Sequence, residues 1–422
     1  MTQTYWIETL GCPKNQVDSE KLAGKLGSDG YIPAADASEA DLVVVNTCAF
    51  IDQARQESID TTLALAEDRR EGSRLVVTGC MAERYGSELA AALPEVDAVV
   101  GFGRELAPEQ ESLPQRKLIP VASAALPDFD LLNLPRPKSS SPWAYVKIAE
   151  GCDRACGFCA IPSFRGPQRS RSIAEICAEV DMLSAQEIVL VAQDLAAFGR
   201  DQGKGERQIV ELVDAVSDLV PWTRLLYLYP SDLTDTLIEA IFRTGVPYFD
   251  LSLQHVSRPL LRGMKRWGDG AKFLERIETI RAREPGASFR SNFIVGYPGE
   301  TEHDQDELLE FVSAAQLDWC GFFEYSAEES THAATLADQV PEELRSDRIA
   351  ELRELQDGIT AARRDSLIGT QIEVLVDAIG EARSFREAPE IDGIVQVPEH
   401  LVPGSFVTLT VTNALGPDLV AS

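Results

Sequence analysis

The sequence predicts an α/β protein with an N-terminal parallel-sheet α/β domain, a central partial (β/α)6 TIM-like barrel and a small C-terminal all-β barrel. Short, wholly apolar runs alternate with helical patterns in the first third, and strand-then-helix units recur through the middle. The last residues alternate apolar and polar side chains between Pro and Gly turns. We place the domains at 1–125, 143–365 and 366–422, with a Pro- and Ser-rich linker at 126–142.

The composition is that of a globular protein, with 44% hydrophobic and 25% charged residues. The sequence lacks an apolar run close to the length of roughly 20 residues that crosses a bilayer, and it lacks an export signal. We therefore expect a cytoplasmic protein that does not associate with a membrane. In that compartment eight cysteines favour metal or catalytic roles over disulfides. A net charge of −29 disfavours nucleic-acid backbone and is explained either by solubility alone or by a cationic partner.

Four apolar runs predict the strands of the N-terminal sheet, and three of them lead directly into a cysteine. The runs are Tyr5–Ile7, Leu42–Val45, Leu75–Val77 and Val96–Val100. Cys12, Cys48 and Cys80 follow the first three. Because the carboxyl ends of parallel strands share one edge where ligands bind, we expect these thiols to meet there. The pattern predicts a metal-cluster site in preference to isolated structural thiols.

The central part is predicted to contain six strands, and a cysteine-rich loop follows the first of them. The strands are expected at Ala144–Ile148, Ile188–Ala192, Leu225–Tyr229, Phe249–Leu253, Phe289–Val295 and Gly321–Tyr325. Cys152, Cys156 and Cys159 have the spacing C-x3-C-x2-C at the predicted barrel mouth. Three thiolates without a fourth ligand favour a 4Fe–4S cluster with one open iron over structural zinc. Phe158 suits packing beside such a cluster, and Cys177 and Cys320 are interpreted as core residues.

Other segments are expected at the same mouth. Gly296 and Gly299 lie in a loop after the fifth strand and permit close backbone approach by a ligand, and Glu300 begins the next helix. We interpret this loop as cofactor-binding rather than as a plain turn and helix cap. Gln254 ends the fourth strand at the same rim. The basic run 257–267 is either a solvated helix face or a contact for an anionic group.

With these motifs the chain resembles the radical S-adenosylmethionine methylthiotransferases over essentially its full length. The central triplet matches the signature of radical S-adenosylmethionine enzymes, and the three N-terminal cysteines match the second cluster of this family. The C-terminal barrel resembles a TRAM domain. The stretches 11–20, 149–166 and 388–393 look like the type that acts on small-subunit ribosomal protein S-twelve, although Gly263, Trp267 and 195–197 depart from its pattern.

The resemblance implies two 4Fe–4S clusters and S-adenosyl-L-methionine as cofactors, with no catalytic side chain beyond the cluster ligands. Under it, a radical formed from S-adenosylmethionine removes hydrogen from the β-carbon of an aspartate in S-twelve, free or in the assembled small subunit, and the N-terminal cluster delivers the sulfur. It also implies an electron donor such as flavodoxin or ferredoxin, and a monomer. The residues that their positions at the predicted barrel mouth place at the cofactor are Phe158, Gln254, Gly296, Gly299 and Glu300.

Two alternatives to this function stay open: a methylthiotransferase acting on N6-isopentenyl or threonylcarbamoyl adenosine in tRNA, and a non-catalytic iron–sulfur regulator. The charge of the last 57 residues favours a protein substrate, because they hold eight acidic and two basic side chains, a net charge of −6. A barrel that binds tRNA should be basic, since phosphate neutralisation supplies most of the affinity. A negative barrel suits a cationic ribosomal protein.

Overall fold

The computed structural model describes residues 3–106, 127–203 and 205–422 and divides into two compact units. The first comprises the described parts of 1–138 together with 150–153 and 160–171. The second comprises 139–149, 154–159 and 172–422. The predicted boundary at residue 125 and the first residue of the predicted linker lie outside the described residues, so the domain limits stay a prediction.

The first unit is built on a five-stranded parallel sheet in the order β2-β1-β3-β4-β5. Its strands are β1 (Thr4–Thr9), β2 (Ile32–Pro33), β3 (Leu42–Thr47), β4 (Arg74–Gly79) and β5 (Ala98–Val99). Its longer helices are α1 (Pro13–Ser28), α2 (Asp52–Asp68) and α3 (Cys80–Ala92). Every residue of β3 is buried, as expected for a central strand covered on both faces. The predicted parallel sheet is thus confirmed, with β2 as an edge strand that the sequence did not indicate.

The second unit contains six parallel strands in two three-stranded sheets, β10-β9-β6 and β11-β12-β13. An isolated parallel bridge between Leu228 and Leu251 joins the two sheets. The strands are β6 (Trp143–Lys147), β9 (Glu187–Val191), β10 (Trp222–Leu225), β11 (Tyr248–Gln254), β12 (Ser288–Val295) and β13 (Trp319–Glu324). The order β6-β9-β10-β11-β12-β13 follows the chain, which confirms a partial (β/α)6 barrel rather than a closed eight-stranded one.

Helices follow the barrel strands and cover an apolar core. They are α5 (Ile173–Leu183), α6 (Ile209–Ser217), α7 (Asp235–Arg243), α8 (Arg258–Gly263), α9 (Gly270–Arg283), α10 (Glu302–Ala315) and α11 (Glu342–Asp365). Short elements of residues 149–170 are β7 (Ala149–Glu150), α4 (Ile161–Arg165) and β8 (Arg169–Ser170). Within the described ranges, each helix is too short or too polar to span a bilayer.

The predicted position of the third barrel strand is wrong. We expected Leu225–Tyr229, whereas β10 begins at Trp222 and ends at Leu225. Tyr227 has φ of 65°, a left-handed conformation that ends extended structure for a bulky residue. The strand begins earlier because Arg224 can be buried in it, with Nε 2.7 Å from the carboxylate of Glu187.

The last residues form a closed five-stranded barrel in the order β14-β15-β16-β18-β17. Its strands are β14 (Gln371–Ala378), β15 (Glu381–Arg383), β16 (Val395–Gln396), β17 (Phe406–Leu415) and β18 (Asp418–Ala421). Val374, Val395, Val411 and Leu419 fill its core. The all-β prediction for these residues is confirmed.

The small barrel packs against the amino ends of the central strands, within the second unit. Arg383 contacts Glu187 at the start of β9 with 2.7 Å between Nη1 and the carboxylate. The Tyr248 hydroxyl donates to Asp392 at 2.6 Å, and Arg290 contacts the same carboxylate at 2.7 Å. These contacts lie at the opposite end of the strands from the mouth, which the carboxyl ends form.

Candidate metal centres

The structure brings the three N-terminal cysteines to the carboxyl ends of adjacent strands. Cys12 precedes α1 as its N-cap, Cys48 directly follows β3, and Cys80 is the first residue of α3. The ends of β3 and β4 are level, because Thr47 pairs with Gly79. Gly11 completes the edge: a Cβ there would lie 2.8 Å from Cys48 Cβ and 2.9 Å from Cys48 Sγ. The predicted meeting of these segments at one edge therefore holds.

The three thiols influence one another electrostatically. Burial, together with the thiols of Cys80 and Cys12, raises the pKa of Cys48 to about 12. Burial also raises the pKa of Cys80, and the charge of Arg165 opposes that rise. Burial favours the neutral form of Cys12 as well, but Lys14 and Arg165 outweigh it and lower the pKa of that thiol. Metal binding would replace the protons that burial holds on the sulfurs of Cys48 and Cys80.

The type of these donor atoms, though not their arrangement, is that of an iron–sulfur site. Among the described residues, no three His, Cys, Asp or Glu side chains are arranged to hold a metal ion. Iron–sulfur clusters take thiolates as ligands, and Cys12, Cys48 and Cys80 are three mutually coupled thiols at one sheet edge. Amide and hydroxyl groups surround them: Asn15 donates to Thr47 O at 3.1 Å, and Cys48 N–H donates to Ser58 Oγ at 3.1 Å.

Arg165 lies at this thiol edge, and the sequence did not indicate it as a functional residue. Its Nη2 is 3.1 Å from Cys80 Sγ and 2.8 Å from Asn15 Oδ1. Its Nη1 donates to both carboxylate oxygens of Glu150, at 2.8 and 3.0 Å. The one sequence signal for Arg165 is that it lies within 149–166, a stretch that carries the family resemblance.

The C-x3-C-x2-C loop is held by backbone contacts. Cys152 belongs to the first unit, where its N–H donates to Gly166 O at 3.1 Å. Cys156 and Cys159 belong to the second unit, where the N–H of Cys159 donates to Cys156 O at 3.2 Å. Between them, Gly157 donates to Met264 O and accepts from Ala333 N, both at 2.8 Å. A Cβ on Gly157 would lie 2.8 Å from a backbone oxygen of α8, so the loop requires a glycine there.

Two arginines and an aromatic ring lie beside Cys156. Arg266 Nη1 is 3.6 Å from Cys156 Sγ, which places the basic run 257–267 against a predicted cluster ligand. The guanidinium groups of Arg154 and Arg266 lie 3.9 and 4.0 Å from the ring centre of Tyr229. Arg154 also pairs with Asp194 and Asp232, and these contacts raise its pKa although burial opposes them. Arg266 therefore contacts a predicted cluster ligand, and the role of the basic run toward an anionic group stays a prediction.

The predicted cofactor-binding residues occupy different environments. The buried carboxylate of Glu300 accepts from Gly296 N–H at 2.7 Å and pairs with Arg348 at 2.8 Å, so it holds the loop itself. Gly296 and Gly299 both have positive φ, 80° and 87°, which their loop requires. Gln254 ends β11 with φ of 72°, and Phe158 is half-buried against the barrel core. Their roles toward a cofactor stay predictions.

The terminal barrel uses part of its acidic charge internally. Asp377 pairs with Arg383, Glu387 with Arg364 and Asp392 with Arg290. The acidic residues of this barrel that remain exposed are Glu373, Glu381, Glu390 and Glu399. Its two arginines add little positive surface, because Arg383 is buried and Arg386 is half-buried. The solvent-facing charge of this barrel is therefore still negative.

Comparison with known proteins agrees with these features. Residues 4–101 match the model of Uncharacterized protein family UPF0004, residues 146–312 that of the Radical SAM superfamily, and residues 368–422 that of the TRAM domain. The ribosomal protein uS12 methylthiotransferase RimO of Anaeromyxobacter sp. (strain K) is 42% identical over 100% of this chain and 93% of its own length. The chain belongs to the RimO family. The RimO of Moorella thermoacetica is 43% identical over 96% of each chain.

Among solved structures, the radical S-adenosylmethionine methyltransferase TsrM from Kitasatospora setae is similar to this member of the RimO family. The likeness has a TM-score of 0.48 and 13% identity, and it covers 77% of this chain and 75% of that chain. The RimO relatives cover all three parts of the fold, from the N-terminal sheet to the terminal barrel.

Proposed function

We propose that this chain is a radical S-adenosylmethionine enzyme that adds a methylthio group to the β-carbon of an aspartate in ribosomal protein uS12. The observation that carries the proposal is the presence of two thiol sets in one chain. One is the C-x3-C-x2-C loop after β6, and the other is the trio of Cys12, Cys48 and Cys80 at the edge of the N-terminal sheet.

Each thiol set has its own part in the proposed reaction. Cys152, Cys156 and Cys159 would hold a 4Fe–4S cluster with an open iron, and the N-terminal trio would hold a second cluster. When bound, the first would supply the electron that cleaves S-adenosylmethionine to a 5′-deoxyadenosyl radical, and the second the sulfur. Radical chemistry is needed because the target C–H bond is unactivated, and a side-chain base could not remove its proton at neutral pH.

The choice of uS12 over tRNA is supported by charge. The solvent-facing acidic residues of the terminal barrel, such as Glu373 and Glu399, would repel a phosphate backbone and attract a cationic protein. The RimO relatives carry the name of the same substrate. A ribosomal substrate places the reaction in the cytoplasm, where a flavodoxin or ferredoxin would supply electrons to a monomeric enzyme.

Alanine substitutions in the two thiol sets should separate the two halves of the reaction. We expect Cys156→Ala to abolish 5′-deoxyadenosine formation, because the cluster that cleaves S-adenosylmethionine loses a ligand. We expect Cys48→Ala to retain part of the cleavage but to form no methylthio product. Both variants are reconstituted anaerobically with iron and sulfide, and 5′-deoxyadenosine and modified peptide are measured by mass spectrometry.

Cys177→Ala is the matched control, because Cys177 is a half-buried cysteine of α5 outside both sets. It should leave both products at parent levels. Full methylthio product from the Cys48→Ala protein would disprove the sulfur-donor role of the N-terminal site. A chain that forms no 5′-deoxyadenosine in any form would be a regulator rather than an enzyme.

The substrate is tested by offering the reconstituted enzyme two candidates separately. One is a peptide containing the aspartate loop of uS12, alone and in the assembled small subunit, and the other is tRNA carrying modified adenosine. We expect a mass increase for a methylthio group on the peptide or subunit only. The same modification on tRNA alone would overturn the uS12 assignment while leaving the reaction class intact.

A further inference from the structure

Arg165 is a buried cation at the N-terminal thiols, and the roles described above leave its function unassigned. Its side chain is 3% exposed. A guanidinium is costly to bury unless its donors find acceptors and its charge finds a counter-charge. Arg165 meets this requirement with four partners in the first unit, which are Asn15, Asp18, Cys80 and Glu150.

The contact with sulfur distinguishes Arg165 from an arginine that only closes an ion-pair network. Glu150 and Asp18 already supply two carboxylates, the second at 3.4 Å from both terminal nitrogens. Even so, Nη2 approaches Cys80 Sγ to 3.1 Å. A thiolate or a metal-bound sulfur accepts a charge-assisted hydrogen bond from such a donor. The ring of Phe102 lies 4.6 Å from the guanidinium carbon and limits screening by water.

A fixed positive charge near an iron–sulfur cluster has a predictable effect. The reduction potential of a cluster depends on its net charge, its solvent exposure and the hydrogen bonds to its sulfurs. Reduction adds one negative charge, so a nearby cation stabilises the reduced form more than the oxidised form and raises the potential. A nearby carboxylate, such as that of Asp18, has the opposite effect.

We propose that Arg165 is a positioning residue that raises the reduction potential of the cluster held by Cys12, Cys48 and Cys80. The proposal rests on the proposed function, because it requires that this second cluster exists. Arg165 lies 85 residues beyond Cys80 in the chain and reaches the thiol edge through the short helix α4. The stretch that follows the central cysteines thereby supplies a charge-assisted donor to an N-terminal ligand.

The test measures the potential of the N-terminal cluster alone, in full-length protein. Cys152, Cys156 and Cys159 are replaced by Ala so that only this cluster forms on reconstitution, and the midpoint potential is followed by EPR-monitored redox titration. We expect Arg165→Gln to lower the ratio of reduced to oxidised cluster at a fixed potential about tenfold, which is a downward shift of the midpoint potential by about 59 mV for one electron. We expect Asp18→Asn to shift the potential upward and Arg165→Lys, which keeps the charge, to stay near the parent.

The opposite shifts of Arg165→Gln and Asp18→Asn separate an electrostatic role from a structural one. Loss of packing would lower the stability of both variants without shifting their midpoint potentials in opposite directions. Arg136→Gln is the control, since Arg136 is a buried arginine of the same unit that pairs with Glu20. Equal midpoint potentials in the parent and Arg165→Gln overturn the inference about Arg165 but leave the proposed N-terminal cluster unaffected. If Arg165→Gln takes up no iron, the Asp18→Asn result decides: an upward shift supports the inference, and no shift or a downward one overturns it. If the protein with only Cys152, Cys156 and Cys159 replaced by Ala holds no cluster, the proposal of a second cluster at the N-terminal thiols is wrong.

Discussion

At the scale of single residues, His255 is a buried imidazole whose surroundings keep it neutral. It directly follows β11, and its Nδ1 accepts the N–H of Ser257 at 3.0 Å, which leaves the ring proton on Nε2. Nε2 lies 3.7 Å from the carboxylate of Glu300. Burial lowers the pKa of His255 from 6.5 to about 4; the charge of Asp304 opposes this shift and that of Arg348 adds to it.

The lowered pKa of His255 predicts a loss of stability on mild acidification. Below pH 6.5 the unfolded chain binds a proton at this residue that the folded chain does not, so the free energy of unfolding decreases as the pH falls toward 4. Between pH 7 and 5 the loss should be about 2 kcal/mol. Urea unfolding of wild type and His255→Asn at both pH values measures it, because Asn keeps an acceptor for Ser257 but does not titrate. Equal pH dependence of the two proteins would contradict the prediction.

The cysteines could be placed from the sequence, and the charges around them could not. Cys12, Cys48 and Cys80 each follow an apolar strand, and parallel topology alone brings such ends to one edge. Arg165 and Arg266 reach a sulfur by long side chains from segments far along the chain. Their sequence neighbours do not indicate where a flexible side chain of that length will end.

At the scale of elements, the junction of β4 and α3 is a turn that only glycine fits. Gly79 has φ of 93°, a left-handed conformation, and a Cβ there would lie 2.6 Å from both N and O of Thr47. The crowding arises because β3 and β4 end level, so the residue before Cys80 lies against the residue before Cys48. The geometry of this turn therefore determines the position of Cys80 relative to Cys48.

Gly79→Ala should displace Cys80 from Cys48 and impair the N-terminal site only. After reconstitution we expect about half of the parent iron, since the central cluster would still form. Iron per chain and the thermal unfolding curve are measured together, so that a global loss of fold is detected. Gly72→Ala is the matched control, because Gly72 also has positive φ, 83°, but a Cβ there meets no atom within 4 Å. Equal iron contents in the two variants would show that the close packing at Gly79 does not position the ligands.

The positions of strands could be predicted where an apolar pattern extended over many residues. The prediction failed where a strand contains only a few residues. β12 lies close to its predicted bounds, because an eight-residue strand carries a clear apolar pattern. β15, with three residues, carries no such pattern. The predicted position of β10 was wrong because Arg224 is a charged residue that is nevertheless buried. Its partner is Glu187, which lies 37 residues away in the chain. Tertiary pairing of this kind overrides the local pattern.

At the scale of the whole molecule, buried ion pairs join the terminal barrel to the amino ends of the central strands. Glu187 is fully buried and pairs with Arg224 and Arg383, each at 2.7 Å. Trp222 adds a ring contact with Phe406, with 4.9 Å between the centroids. Because these links belong to one compact unit, the small barrel is held at the end of the central barrel opposite the mouth. It is therefore part of the central scaffold rather than a separate module.

Removal of Glu187 should destabilise both barrels together. Glu187→Ala leaves the buried charges of Arg224 and Arg383 without this shared carboxylate, a change that typically costs about 3–5 kcal/mol. Urea unfolding followed by tryptophan fluorescence and by far-ultraviolet circular dichroism should give coincident transitions, shifted to lower urea. Trp222, one of the five tryptophans that contribute to the fluorescence, lies at the joint itself. Glu381→Ala, which removes an exposed carboxylate of β15, should change the free energy of unfolding by less than about 0.5 kcal/mol. A further transition in Glu187→Ala that the parent does not show would mean that the terminal barrel unfolds independently, and that the ion pairs fix its position without making the two barrels one cooperative structure.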